Sequence, residues 1–228
     1  MNDKMHPIGK CRTDFGFTLI EMIGVLAVIA VLVALLLPRV FEIMAESKAN
    51  ALVAAVATYR TAIVKYYADM GTILPLDAGG TPMAQSSGDT IDVESLGARL
   101  TLDKEDPLNT GSNSWANFQG PYLAHFSSDS PPGFGTHVFM PVRDGPSYGT
   151  PTTAINRGYD FDNDGNSDLP TNAHVAFLRF RSVAPKDFER IDNMLDSGFG
   201  GTALERQLRG RVKYDVSTNR MRIYLMHK

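Results

Sequence analysis

Gly16-Phe17-Thr18-Leu19-Ile20-Glu21 is the junction between a short charged leader and an unbroken apolar run. From Phe17 to Leu37 the chain reads FTLIEMIGVLAVIAVLVALLL, 21 residues, which is the length a helix needs to cross the hydrocarbon core of a bilayer. A single carboxylate, Glu21, stands inside that run. A charge at the centre of such a span costs about 2.5–3.5 kcal/mol on insertion scales, so Glu21 calls for a compensating contact. The pattern predicts a membrane-spanning helix with a polar interaction built into it, and the lipid bilayer as one partner.

Two simpler readings explain less. A secretory signal peptide also begins with basic residues and an apolar core, but a small-residue cleavage site follows the core. Here Pro38-Arg39-Val40-Phe41 follows, and the apolar run is longer than such cores usually are. A plain membrane anchor accounts for the length of the run and for neither Glu21 nor the Gly-Phe junction. The leader carries Lys4, Lys10 and Arg12 against Asp3 and Asp14. Its positive charges favour a cytoplasmic N-terminus.

The hexapeptide Gly16–Glu21, the apolar span and the spacing to Pro38 together resemble the class III leader of type IV prepilins and type II secretion pseudopilins. The resemblance implies that a prepilin peptidase cuts after Gly16 and that the new N-terminus, Phe17, is methylated. It places Glu21 as the assembly glutamate and Pro38 as the family's helix-interrupting proline. Other pilin or pseudopilin subunits and an inner-membrane assembly platform are then the expected partners. The implied fold is α+β and pilin-like, a long N-terminal helix packed on a small C-terminal antiparallel sheet domain. The expected organisation is a leader at 1–16, a transmembrane or filament-core helix at 17–37, the exposed half of the helical spine at 38–70 and a globular domain at 71–228. The expected location is a single-pass span of the inner membrane with the C-terminal domain outside the cytoplasm, and then a filament.

Charge and cysteine content narrow the function classes. The chain has 22 Lys and Arg against 25 Asp and Glu; without the leader the balance is 19 against 23, which is slightly acidic. That gives no reason to expect wholesale nucleic-acid binding. The only cysteine, Cys11, lies in the leader, so no disulfide staples the rest of the chain.

Beyond Pro38 a helical stripe resumes: Leu52, Val56, Tyr59, Ile63, Tyr66 and Met70 recur at intervals of three and four. Seven alanines between 45 and 62 add helix propensity, and Gly71 is a natural stop. A continuous helix from Phe17 to Met70 would extend about 80 Å. Pro38 predicts a kink or a locally opened turn, because it lacks a donor and crowds the carbonyl four residues back. The stripe is expected to lie against a sheet, with Arg60 and Lys65 on wetter faces.

Residues 71–160 are rich in Gly, Pro, Ser, Thr and Asp. Val93–Leu102 reads as a short helix or irregular layer. The segment from Trp115 through Gly120-Pro121-Tyr122-Leu123 loosely resembles one in major pseudopilins. Residues 136–142 and 173–181 read as strands; in the second, Leu178 and Phe180 face inward while Arg179 and Arg181 face out. Pro185 to Gly198 reads as a helix with Phe188, Ile191 and Leu195 on one face. Val212 to Leu225 reads as a hairpin turning at Ser217-Thr218-Asn219. Arg206, Arg209, Arg211, Lys213, Arg220 and Arg222 are expected on solvated hairpin faces or in inter-subunit ion pairs, since no aromatic stacking platform for nucleic acid accompanies them.

Asp160-Phe161-Asp162-Asn163-Asp164-Gly165-Asn166-Ser167-Asp168 carries the second chemical signal. Carboxylates at alternate positions supply hard oxygen ligands to one side of a turn, and Gly165 permits the bend. Asp168 falls at the ninth position, and Asn166 offers a backbone carbonyl, as in EF-hand-like loops. Thr171 stands where an EF-hand needs its bidentate Glu, so the expectation is a shorter Ca²⁺ loop using Asp160, Asp162, Asp164, Asn166 and Asp168. Asp, Asn and Gly are also ordinary turn formers.

No nucleophile elbow, HExxH, phosphate loop or Cys/His metal spacing is present in the sequence. The chain reads as a substrate of processing enzymes and not as an enzyme, and as a filament subunit. The alternative is a single-span, membrane-anchored calcium-binding module that never polymerises.

Overall fold

The computed structural model describes residues 16–77, 79–83, 96–104, 117–126, 134–136, 138–140, 142–143, 158–170 and 173–228. The chain divides into two compact units, Met1–Met44 and Ala45–Lys228. One helix, α1 (Leu19–Met70), contributes to both.

α1 begins two residues later than the apolar run, because Thr18 serves as its cap and not as its first turn. Its C-terminal end matches expectation: Gly71 adopts φ +72°, and its N–H donates to the Tyr67 carbonyl at 2.8 Å. A left-handed residue here costs glycine nothing and would strain any residue with a Cβ. The helix continues through Pro38, which lies inside it. Proline removes only one donor from a long ladder, and the rest of the helix holds.

In the first unit the apolar side chains from Phe17 to Met44 are exposed, Leu35 by 70%. The second unit is built around one large core. Along α1, Ala49, Leu52, Val56, Ile63 and Tyr66 are buried in it, with Tyr59 and Met70 partly covered, as the stripe predicts. Truncating a fully buried Leu52 to Ala would cost about 2–5 kcal/mol.

The sheet has the order β1-β3-β5-β4 (Val138–Phe139, Val175–Phe180, Arg220–His227, Val212–Asp215), all antiparallel. β2 (Val142–Arg143) pairs with the other end of β3. The expected strand over 136–142 is thus two short strands flanking Met140; Thr136 bonds Arg181 from outside them. The expected hairpin is β4 and β5, turning at residues 216–219 with Asn219 at φ 51°. Short helices complete the unit: α2 (Leu96–Leu100), α3 (Pro185–Leu195) and α4 (Ala203–Leu208). α2 falls within the expected 93–102 segment, of which 93–95 lie outside the described residues, as does Trp115. α3 buries Phe188 and Ile191 as its periodicity predicts.

The two faces of the sheet differ in cover. Ala176, Leu178, Phe180, Met221, Ile223 and Leu225 face the large core with α1. On the opposite face Val175, Phe177 and Tyr224 pack with Tyr159, Leu169 and Phe161. That second layer corrects three expectations. Arg179, Lys213 and Arg222, expected in solvent, are buried side by side, Arg179 opposite Arg222 and Arg222 opposite Lys213. Their alternation with apolar residues is real, but residues of the 158–170 segment cover this face around Phe177, Tyr224 and Lys213. Arg222 stacks over the Phe177 ring and Lys213 over the Tyr159 ring, which shelter them. Arg60 is a fourth correction: it is half-buried, and its Nε donates to the Leu225 carbonyl at 2.7 Å. Lys65 is exposed as expected.

Candidate processing site and acidic loop

Gly16 and Phe17 precede α1 and are both exposed. Thr18 and Glu21 then form a reciprocal cap. The Glu21 carboxylate accepts from the Thr18 N–H at 2.8 Å and from its hydroxyl at 2.6 Å, while the Glu21 N–H reaches the Thr18 hydroxyl at 3.3 Å. Two donors that a helix start leaves without partners are satisfied this way. A carboxylate here also meets the positive end of the helix dipole. Glu21 is therefore partnered within its own chain. α1 is long and apolar enough to cross a membrane. Pro38 sits in its exposed stretch, one residue before Arg39, which pairs with Glu42 at 3.4 Å.

The acidic loop lies between Gly158 and Pro170. Its ends are closed by the Asp168 N–H donating to the Tyr159 carbonyl at 2.9 Å. Inside, Asp160 is wholly buried; its Oδ2 accepts from the Gly165 N–H at 2.9 Å, and among the described residues its Oδ1 has no donor. Gly165 at φ +89° and Asn163 at φ 65° make the bend. One carboxylate oxygen each from Asp160, Asp162 and Asp168 lie within 4.8 Å of one another. Asp168 also accepts from the Phe161 N–H. Asp164 and Asn166 turn to each other instead: the Asn166 backbone and side-chain amides donate to Asp164 at 2.7 and 3.0 Å. Those bonds hold the Asp164 carboxyl below its ordinary pKa. Of the five positions expected as ligands, three are thus gathered by their carboxylates.

The loop is tied to the rest of the domain by residues its own sequence does not announce. Arg209, just after α4, donates to Asn163 at 2.8 Å and lies 3.8 Å from Asp160. The Gly210 N–H donates to the Asp160 carbonyl at 2.8 Å. Lys213 donates to the Gly158 carbonyl. Burial holds the Lys213 pKa down to about 7, the Arg222 charge acting the same way and Asp160 against it. Arg206 is engaged elsewhere: it grips Asp192 at 2.6 Å and Asn193 at 2.7 Å. α4 has its own capping box, Thr202 with Glu205. Thr18-x-x-Glu21 and Thr202-x-x-Glu205 share one local signature, and both caps can be found from it. The grip of Arg209 on a loop 46 residues earlier in the chain has no such signal.

A long apolar N-terminal helix and a C-terminal antiparallel sheet make a pilin-like α+β fold, and the helix fits a single-pass membrane anchor. Residues 11–37 match the family model described as the prokaryotic N-terminal methylation motif. That match supports the type IV prepilin and pseudopilin family and a substrate of prepilin peptidase. No curated protein and no solved structure matches the chain.

Proposed function

We propose that this chain is a structural subunit of a type IV pilus-like or type II secretion pseudopilus filament, and is not an enzyme. The observation that carries the reading is the methylation motif over residues 11–37, with Gly16 and Phe17 exposed ahead of a helix whose apolar side chains are uncovered to Met44. In this reading the leader stays in the cytoplasm, α1 spans the inner membrane and the sheet domain lies outside. Prepilin peptidase cuts after Gly16, and Phe17 becomes a methylated α-amine.

Assembly on an inner-membrane platform then moves the apolar helices from lipid into a bundle with other subunits. Lipid tails are as apolar as leucine, so packing and polar contacts, not the hydrophobic effect, drive that step. Glu21 pairs there with the Phe17 amine of a neighbour, so two charges that are each costly alone satisfy one another. Pro38 marks the place where the helix yields to its neighbours. Glu21→Ala tests the reading: membrane insertion is retained and filaments are lost. Normal filaments from that variant would refute the assigned role of Glu21.

A further inference from the structure

Asp160 poses a problem that the described residues do not solve. It is wholly buried, one oxygen is engaged by Gly165, and the other, Oδ1, has no donor among the described residues. Leaving a charged oxygen out of water without a partner is costly. Arg209 offsets part of the charge from 3.8 Å, but from the side of Oδ2. Among the described residues no ion pair involves Asp162 or Asp168, whose carboxylates converge with that of Asp160 to within 4.8 Å. Two oxygens on one ion at about 2.4 Å can be no more than about 4.8 Å apart, so the three are gathered closely enough for a single cation.

We propose that Asp160, Asp162 and Asp168 hold a divalent cation of the calcium type in the Tyr159–Asp168 loop. The donor set is entirely carboxylate oxygen, with no imidazole or thiolate, which suits a hard cation over zinc or copper. Calcium fits better than magnesium because it accepts irregular geometry and completes its shell with backbone carbonyls and water, whereas magnesium demands a near-ideal octahedron. The ion relieves the repulsion among the three carboxylates and gives the buried one a partner. It thereby tightens the roof over the sheet, since Gly210 and Arg209 fasten this loop to the start of β4, and Phe161 packs against Tyr224 of β5 with ring centroids 4.8 Å apart. A chain without a disulfide beyond its leader gains a cross-link of another kind. The site is independent of the filament reading and stands if that reading fails.

The test uses the full-length protein in detergent, stripped with EGTA. Added Ca²⁺ should raise its melting temperature, and the rise should continue with concentration beyond saturation, as ligand linkage requires. Mg²⁺ at equal concentration should do less. Tb³⁺, excited through the nearby tyrosines, should luminesce and be displaced by Ca²⁺. Asp162→Asn, an exposed position that should fold normally, should weaken Tb³⁺ binding by about tenfold or more. Asp164→Asn, whose carboxylate is occupied by Asn166, should bind as the wild type does. An unchanged melting temperature with no displaceable Tb³⁺ signal overturns the site. Wild-type binding by Asp162→Asn, or loss confined to Asp164→Asn, overturns the choice of ligands.

Discussion

The Glu21 carboxylate closes a cap on Thr18, accepting from both its N–H and its hydroxyl three residues back in the chain. A charge that looks misplaced in an apolar span is thus partnered before any second subunit arrives. This separates two roles of Glu21 that one alanine substitution would merge. Glu21→Gln keeps a side-chain oxygen able to accept from Thr18, but has no charge to offer an amine. The expected outcome is a variant that inserts and is cleaved like the wild type and yields no filaments. Membrane fractionation, leader cleavage and filament yield are read on the same cells. Filament assembly at the wild-type level would show that the cap, and not the charge, is what matters.

Arg60 links α1 to β5 through the Leu225 carbonyl and also lies over the Tyr224 ring. Arg60→Met keeps an apolar stem and removes the donor, leaving a part-buried carbonyl without its partner. The expected loss is about 1–3 kcal/mol of stability, seen as a lower thermal midpoint of the full-length protein. An unchanged midpoint would mean that water replaces the guanidinium without penalty.

Asp196 ends α3 and accepts from the N–H groups of Arg211 and Val212, both at 2.8 Å. Burial outweighs those bonds and pushes its pKa up to about 6. A carboxyl whose folded pKa lies above its unfolded value holds its proton more tightly in the native state. Its contribution to stability is therefore fully present at low pH and is lost as pH rises from about 4 through about 6. Asp196→Asn retains an acceptor for both N–H groups and removes the titration. Stability measured from pH 4 to 7 should fall less steeply in the variant; an identical slope would acquit Asp196 and point to Asp192, whose pKa burial also raises.

Gly210 adopts φ +77°, and a Cβ there would come within 2.5 Å of the Asp196 carboxylate. Its N–H also carries the bond to the Asp160 carbonyl. Gly210→Ala should cost at least about 2 kcal/mol, from left-handed strain and displacement of Asp196 together. Chemical denaturation of variant and wild type checks it, and a loss below half of that figure would show that the backbone relaxes freely.

Local patterns carried most of the fold. The stripe from Leu52 to Met70, the Gly71 stop, Pro185 at the head of α3 and the turn before Arg220 each follow from spacing within a few residues. What stayed hidden was cover supplied from far away in the chain. Arg179 and Lys213 alternate with apolar neighbours just as solvent-facing residues do, yet both are buried, and for Lys213 the cover includes Gly158 and Tyr159, more than 50 residues earlier in the chain. The acidic loop shows the same division. Its carboxylate spacing is plain in the sequence, and the Asp164–Asn166 bonds are local, but the burial of Asp160 depends on how the loop docks. Thr18 was legible as the first half of a capping box, a pattern that the apolar run around it obscures.

The central claim is that the bond after Gly16 is cut and that Phe17 then begins a filament subunit. Mass spectrometry of the N-terminus of the membrane-extracted protein addresses it most directly. The account predicts a chain that starts at a methylated Phe17; a chain that keeps Met1 and the intact leader would contradict it and leave a plain membrane-anchored module.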